Sequence, residues 1–289
     1  MVDSLLSVLL MGLFPLQSGV RSTVSLEPME IAVASPYVYE IKKNVDQSGL
    51  ASVSASGVLV WNLTSGQRLH EYASAIPRPM ASLTKLMTAL IIAENHPLDE
   101  WGTVPEHIGN VVGNTAYLPP SGVFTIGDLL SALLVQSGND AAYTLALLHS
   151  GSEAKFVDEM NTRAKELGLR NTSFANATGL DASNHWSTPE DLAWLAMHVL
   201  RNPILRNRMS MRGVRIVSRS GNIIYLTHTN ALMHANVGVI AGKTGTTGAA
   251  RECLFSVVEK NGKEYGVVLL HSLDRYADMR RILAVLDTL

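Results

Sequence analysis

Strand-like runs stand toward both ends of this chain, and helix-like stripes fill its middle. Ser54-Ala55-Ser56-Gly57-Val58-Leu59-Val60-Trp61 predicts a strand, Asn62 to Gln67 a turn, and Arg68-Leu69-His70-Glu71-Tyr72 the returning strand. A Ser-Leu-Thr start then leads into Leu86, Met87, Ala89, Leu90 and Ile91, a helix apolar on most sides and therefore buried. Thr125 predicts a helix cap with Asp128 at the third position, and Leu129, Leu130, Leu133 and Leu134 form its stripe. Asp140 to His149 predicts the next helix. Phe156, Val157, Met160, Ala164 and Leu167 predict another, closed by Gly168. Thr188 caps a further one, with Pro189 at its first position and Glu190 and Asp191 complementing the dipole. After about residue 212 strands return at 214–217, 223–226, 254–258 and 265–270, and a final helix spans Arg275 to Leu286. The order predicts an α+β chain, a sheet completed by the C-terminal part with a helical insertion beside it. Residues 51–100 with 212–289 are expected to make the sheet part of one catalytic domain, and 101–211 the helical part.

At 289 residues and 47% hydrophobic, the chain can bury one large core or two cooperating ones. A net charge of -2 with scattered Lys and Arg gives no footprint for nucleic acid. The single cysteine, Cys253, excludes an intramolecular disulfide and a multi-cysteine metal cluster; between apolar neighbours it reads as a buried strand residue. The nine histidines are dispersed and read as surface or satisfied core residues, so neither a metal nor another cofactor is expected. Leu5 to Phe14 is an apolar run of signal-peptide length. Asp3 precedes it without Lys or Arg, and no small-x-small cleavage site follows within twenty residues. Residues 1–20 are expected to be an export signal or an uncleaved anchor, with a docked core segment as the competing reading, and 21–50 a lead-in. The body is expected outside the cytoplasm, touching a membrane only through its N-terminus.

Three short motifs carry candidate chemistry. In Ser82-Leu83-Thr84-Lys85, a helical spacing of three puts the Lys85 amine within reach of the Ser82 hydroxyl. A serine alcohol needs a base, and a lysine can serve once burial or a second cation lowers its proton affinity. A helix start also directs a backbone N–H and the positive dipole end at a reacting carbonyl. Ser137-Gly138-Asn139 stands at a break between two helices, where Ser137 could relay a proton and Asn139 could bind a substrate amide and position Lys85. Lys243-Thr244-Gly245-Thr246 is placed at a strand end, where Gly245 admits substrate backbone, Lys243 supplies charge, and Thr244 and Thr246 supply donors for a carboxylate and an oxyanion. The chain holds decoys for two of these: Ser152-Glu153-Ala154-Lys155 reads as a helix cap and Ser220-Gly221-Asn222 as a hairpin turn. No G-x-S-x-G elbow and no H-E-x-x-H motif occurs.

With the longer matches around them, these motifs resemble the low-molecular-mass D-Ala-D-Ala carboxypeptidases, which are penicillin-binding proteins. Pro79 to Ala89, Gly127 to Leu130, Ser137 to Ala142, Thr172 to Asn176, Gly179-Leu180 and His185 to Ala193 carry the likeness, which runs from about residue 50 to the end. The resemblance implies a β-lactamase/transpeptidase-like α+β fold, an antiparallel sheet flanked by helices with an all-helical subdomain, acting on peptidoglycan stem peptides, with β-lactams as inhibitors. It implies Ser82 as nucleophile, Lys85 as base, Ser137 in proton relay, and the N–H groups of Ser82 and Thr246 as oxyanion hole. It also places Arg275 near the cleft, a surface charge at a helix start being the competing reading. The family pattern K-T-G-x-T-x-x-A-G ends here in Arg251 instead of glycine. The stop at Leu289, without a second β domain, resembles the D,D-endopeptidase members that cut cross-links. A class A β-lactamase is disfavoured because residues 171–180 hold no Glu and Gly138 replaces that family's Asp. A non-catalytic penicillin-binding sensor is the remaining alternative.

Overall fold

The computed structural model describes Leu50 and residues 52–287; the expected leader and most of the lead-in lie outside the described residues. Alternation within the longest strands decides the architecture. In β8 (Arg251–Lys260), Cys253, Phe255 and Val257 join one apolar cluster and Leu254 and Val258 another. In β9 (Lys263–Ser272), Val268 and Leu270 separate from Val267 and Leu269 in the same way. Strands covered on both faces lose the polar half of the period, which is why these two read as continuous apolar runs. They lie inside a five-stranded sheet with β1 (Gly57–Asn62), β2 (Arg68–Tyr72) and β7 (Val239–Thr247), in the order β2-β1-β9-β8-β7, every neighbouring pair antiparallel.

The helix Arg275–Leu286, with the 3₁₀ turn Ala231–His234 beside it, covers one face, setting Met279, Ile282 and Leu286 against Val58, Val60, Leu254 and Val267. The larger core lies on the other face. Its centre is α1 (Lys85–Asn95), whose residues from Leu86 to Ile92 are all buried. Around α1 pack α2 (Ile126–Leu134), α3 (Asn139–Ser150), α4 (Glu153–Glu166), α5 (Pro189–Arg201) and α6 (Pro203–Ser210); the C-terminal helix is α7. Short hairpins of β3 (Trp101–Thr103) with β4 (Val123–Thr125), and of β5 (Gly213–Val217) with β6 (Ile223–Thr227), complete the architecture. It is the expected α+β arrangement of an antiparallel sheet flanked by helices. No helix among the described residues is long and apolar enough to cross a membrane.

Local chemistry starts the helices where the sequence indicates. Thr125 Oγ1 accepts the Asp128 N–H at 3.1 Å, and Thr188 Oγ1 the Asp191 N–H at 3.0 Å. Both decoys do structural work: Ser152 caps α4 through the Lys155 N–H at 3.3 Å, and Ser220-Gly221-Asn222 turns β5 into β6 with Gly221 at φ 90°. Three features differ from expectation. Lys243 lies in the middle of β7, because the strand continues through Thr247 in register with Arg251. Helix α6 has a weak apolar stripe that the sequence reading passes over; Asn202 starts it by accepting the Ile204 and Leu205 N–H groups, with Pro203 at the first position. The Ser82 turn is a 3₁₀ turn, Ala81–Thr84, that runs into α1 at Lys85.

Candidate active site

The tighter 3₁₀ turn brings Ser82 almost directly over Lys85, so that Nζ of the fully buried lysine lies 2.9 Å from Ser82 Oγ. The same nitrogen is 2.7 Å from Asn139 Oδ1 and 2.5 Å from the Thr178 carbonyl oxygen. Burial pushes the Lys85 pKa down to about 7, against the opposing attraction of Asp140. A neutral amine carries two N–H bonds and one lone pair. Asn139 and Thr178 can accept only hydrogens from it, which leaves the lone pair for the Ser82 hydroxyl.

The backbone before Ser82 is strained. Ala81 sits at φ 48°, a left-handed conformation that costs a residue with a Cβ about 1–2 kcal/mol. A short relay holds it. The Ala175 N–H is accepted by His185 Nδ1 at 2.9 Å, which places the imidazole proton on Nε2. Nε2–H then donates to Thr84 Oγ1 at 2.6 Å, and Thr84 donates to the Ala81 carbonyl at 2.8 Å. Burial, reinforced by Lys85, holds His185 down at about 4, so the ring stays neutral near neutral pH. Two glycines close on this segment. A Cβ on Gly245 would stand 2.8 Å from Ser82 N; one on Gly179, at φ 94°, would also stand 2.8 Å from it and would drive into the Ala81 carbonyl.

Across the cleft, Ser137 is also left-handed, at φ 61°, between α2 and α3. Its Oγ accepts from Lys243 Nζ at 2.5 Å, and the same amine donates to the Thr244 carbonyl at 2.8 Å. Lys243 is fully buried; burial first, then the charges of Lys85 and Arg275, hold it well below the usual lysine range. Asn139 is oriented by its Nδ2, which donates to the Val112 carbonyl at 2.7 Å. Asp140 accepts the Ala116 N–H at 2.9 Å and the Leu118 N–H at 3.0 Å, tying the preceding loop to the turn. The structure thus gathers Ser82, Lys85, Ser137, Asn139 and Lys243, drawn from three separate stretches of chain, into one cleft.

A family model described as D-alanyl-D-alanine carboxypeptidase, peptidase S11, matches residues 42–273. The chain belongs to that family. It is 34% identical over 218 residues to the carboxypeptidase DacF of Bacillus subtilis, a match covering 74% of this chain and 56% of DacF. Against the D-alanyl-D-alanine endopeptidase of Escherichia coli it is 27% identical over 275 residues, covering 92% of this chain and 88% of that protein. The Streptomyces K15 DD-transpeptidase structure superposes with a TM-score of 0.77 at 29% identity, over 82% of this chain and 98% of that one.

On β7, an edge strand of the five-stranded sheet, Thr244 Oγ1 lies 2.6 Å from Thr229 Oγ1, and Gly245 faces Ser82 N as described. Arg275 is buried and is no surface charge. Its Nη1 donates to the carbonyls of Gly245 at 2.8 Å and Cys253 at 3.0 Å, its Nη2 to Thr246 Oγ1, and its Nε to Glu252 at 3.1 Å. It therefore reaches the cleft through Thr246. Arg251 is exposed and occupies φ 53°, the backbone conformation for which the family pattern has glycine. The sequence does not reveal the Thr178 carbonyl, since any residue type supplies one, nor the Thr84–His185 relay, whose two side chains stand 101 residues apart. Cys253 is buried in β8, and burial pushes its thiol up to about 11. Among the described residues no group of three His, Cys, Asp or Glu is placed to hold a metal ion.

Proposed function

We propose that this protein is an extracytoplasmic serine-type D-alanyl-D-alanine carboxypeptidase that cleaves peptidoglycan stem peptides through an acyl-enzyme on Ser82. The observation that carries the reading is the Lys85 amine, 2.9 Å from Ser82 Oγ, with its two other directions taken by Asn139 and Thr178. Neutral Lys85 takes the Ser82 proton as Oγ attacks the carbonyl between the two D-alanines. The N–H groups of Ser82 and Thr246 receive the oxyanion, and the close approach of Gly245 to Ser82 supports that pairing. The leaving amine takes its proton through Ser137, whose hydroxyl is already oriented by Lys243. Lys243 and Thr244 hold the terminal carboxylate; an arriving anion raises the proton affinity of Lys243 and favours its charged form. Water then releases the acyl group. β-Lactams acylate Ser82 as mimics of the same substrate.

A class A β-lactamase needs a free carboxylate for the deacylating water, and the carboxylates around this cleft are engaged. Asp140 is held by backbone N–H groups, Glu153 accepts the Ala177 N–H, and Asp181 accepts from Thr247 and Ala249. A second reading, D,D-endopeptidase, is favoured by the near-full-length likeness to the Escherichia coli endopeptidase. Mass spectrometry of products from purified muropeptides separates the two. Loss of one alanine from pentapeptides marks the carboxypeptidase, conversion of dimers to monomers marks the endopeptidase, and neither product from folded protein refutes both.

A further inference from the structure

Beside the Ser82 turn lies a cavity of about 600 Å³ lined by Pro77 to Pro79, Asp181 to Ser183, His185, Trp186 and Ala249. Its place relative to the cleft follows from β7. Lys243 and Thr244 lie upstream on that strand and Thr246 marks the reacting carbonyl, so the acyl part of a substrate leaves past Thr247 toward Ala249. Asp181 fastens that exit, accepting from Thr247 Oγ1 at 2.5 Å and the Ala249 N–H at 2.9 Å. The cavity therefore adjoins the acyl side of the scissile bond.

Arg78 forms part of the wall. Its backbone is pinned to Ser187 by hydrogen bonds of 2.8 and 3.0 Å, and its Nε is buried without a hydrogen-bond partner. It reaches the start of β1, where a Cβ on Gly57 would stand 3.5 Å from that Nε. The next strand in the sheet, β9, ends near His271, and the one after it, β8, begins at Arg251. Their neighbours Glu252 and Ser272 turn to the opposite face, to Arg275 and Asp278 of α7. Cys253, two residues along β8 from Arg251, sets its Sγ 3.8 Å from the Pro79 carbonyl, and the His271 carbonyl accepts the Ser56 N–H at 3.4 Å next to Gly57, so both chain segments lie beside Arg78. His271 stands between them: burial first, then the Arg251 and Arg78 guanidiniums, hold it below its ordinary value, against the opposing effect of a hydrogen bond from its ring to the Ala249 backbone. Nearby carboxylates are occupied elsewhere, Asp181 as above, Glu252 with Arg275, and Glu71 and Glu190 with Arg68. Among the described residues no carboxylate pairs with either Arg78 or Arg251.

We propose that Arg78 and Arg251, both beside His271, form an anion subsite that takes a carboxylate carried on the acyl side of the scissile bond. The inference rests on the function proposed above. Guanidinium forks suit a planar carboxylate, and Arg78 in the cavity wall with Arg251 two residues beyond the lining Ala249 recognise it with modest desolvation. The subsite makes substrates with a free acidic group preferred over their amidated forms.

The test uses two pairs of acyl-D-Ala-D-Ala peptides. One pair differs as carboxylate against carboxamide on the residue next to D-Ala-D-Ala, the other on the residue one further away. The wild-type chain should favour the carboxylate in one pair by about tenfold in kcat/KM at low salt, and less at high salt. Arg251→Met should bring that ratio to within about twofold, and Arg251→Lys should restore part of it. A wild-type ratio within twofold in both pairs, or a ratio untouched by Arg251→Met, overturns the subsite. If neither pair is turned over and a fluorescent penicillin leaves Ser82 unlabelled, the proposed function falls instead. The subsite is then read from the same ratio in calorimetric binding of the same peptides.

Discussion

Lys85 should leave its mark on stability as well as on catalysis. The folded chain holds its amine near 7, whereas an unfolded lysine titrates at 10.5. Between those values the unfolded state binds a proton that the folded state does not, so stability rises with pH. Each unit in that window contributes about 1.4 kcal/mol at most, so the step from pH 7.5 to 9.5 adds roughly 2–3 kcal/mol from this one group. Lys243 is displaced in the same direction and adds to the slope. Other titrations contribute a background, which Lys85→Met subtracts. Urea unfolding at pH 7.5, 8.5 and 9.5 gives the stability of each chain, and the wild type should gain roughly 2–3 kcal/mol more than Lys85→Met across the range. Equal slopes for the two chains would refute the neutral-amine account, since they would mean that the folded state keeps the Lys85 proton. At pH 7 the variant is less penalised by burial, yet it leaves the Asn139 and Thr178 oxygens without a donor, at about 1–3 kcal/mol each. The diagnostic is therefore the slope and not the stability at one pH.

The acylation rate of Ser82 by a fluorescent penicillin should rise about tenfold per pH unit below about 7 and level off above it, following neutral Lys85; a flat profile from pH 5 to 9 contradicts its role as base. Gly179→Ala, which sets a Cβ 2.8 Å from Ser82 N and into the Ala81 carbonyl, should cut that rate by about 100-fold or more; labelling within twofold of wild type would show that the Ser82 backbone tolerates the crowding. Thr84→Val strands the His185 Nε2–H and the Ala81 carbonyl and should cost about 2–4 kcal/mol by urea unfolding; a loss under 1 kcal/mol by that measurement would remove the relay from the argument. Arg251→Gly relieves a side chain held at φ 53° and should stabilise the fold by up to about 1 kcal/mol, seen as a Tm raised by about 2–4 °C; a lower Tm would mean that the arginine makes contacts worth more than the strain.

What could be read from the sequence was what acts over one or two turns of chain. The Ser82 and Lys85 spacing, the caps at Thr125 and Thr188, and the two decoys are local, and local geometry resolves them. The family likeness carried the long-range part, the gathering of Ser137 and Lys243 to the same cleft. Neither source reached the backbone. The Thr178 carbonyl that fixes the Lys85 lone pair lies 93 residues from it in sequence, and any residue type supplies a carbonyl. The strained Ala81 and Ser137 carry side chains that do not announce positive φ. Arg251 joins the two kinds of information. Where the family pattern has glycine, the chain holds a left-handed backbone conformation that suits glycine, while carrying a side chain that this conformation disfavours by about 1 kcal/mol. A destabilising choice at a cleft edge, beside a second unpaired arginine, is what a binding role for that side chain predicts, since natural chains break local rules where function compensates.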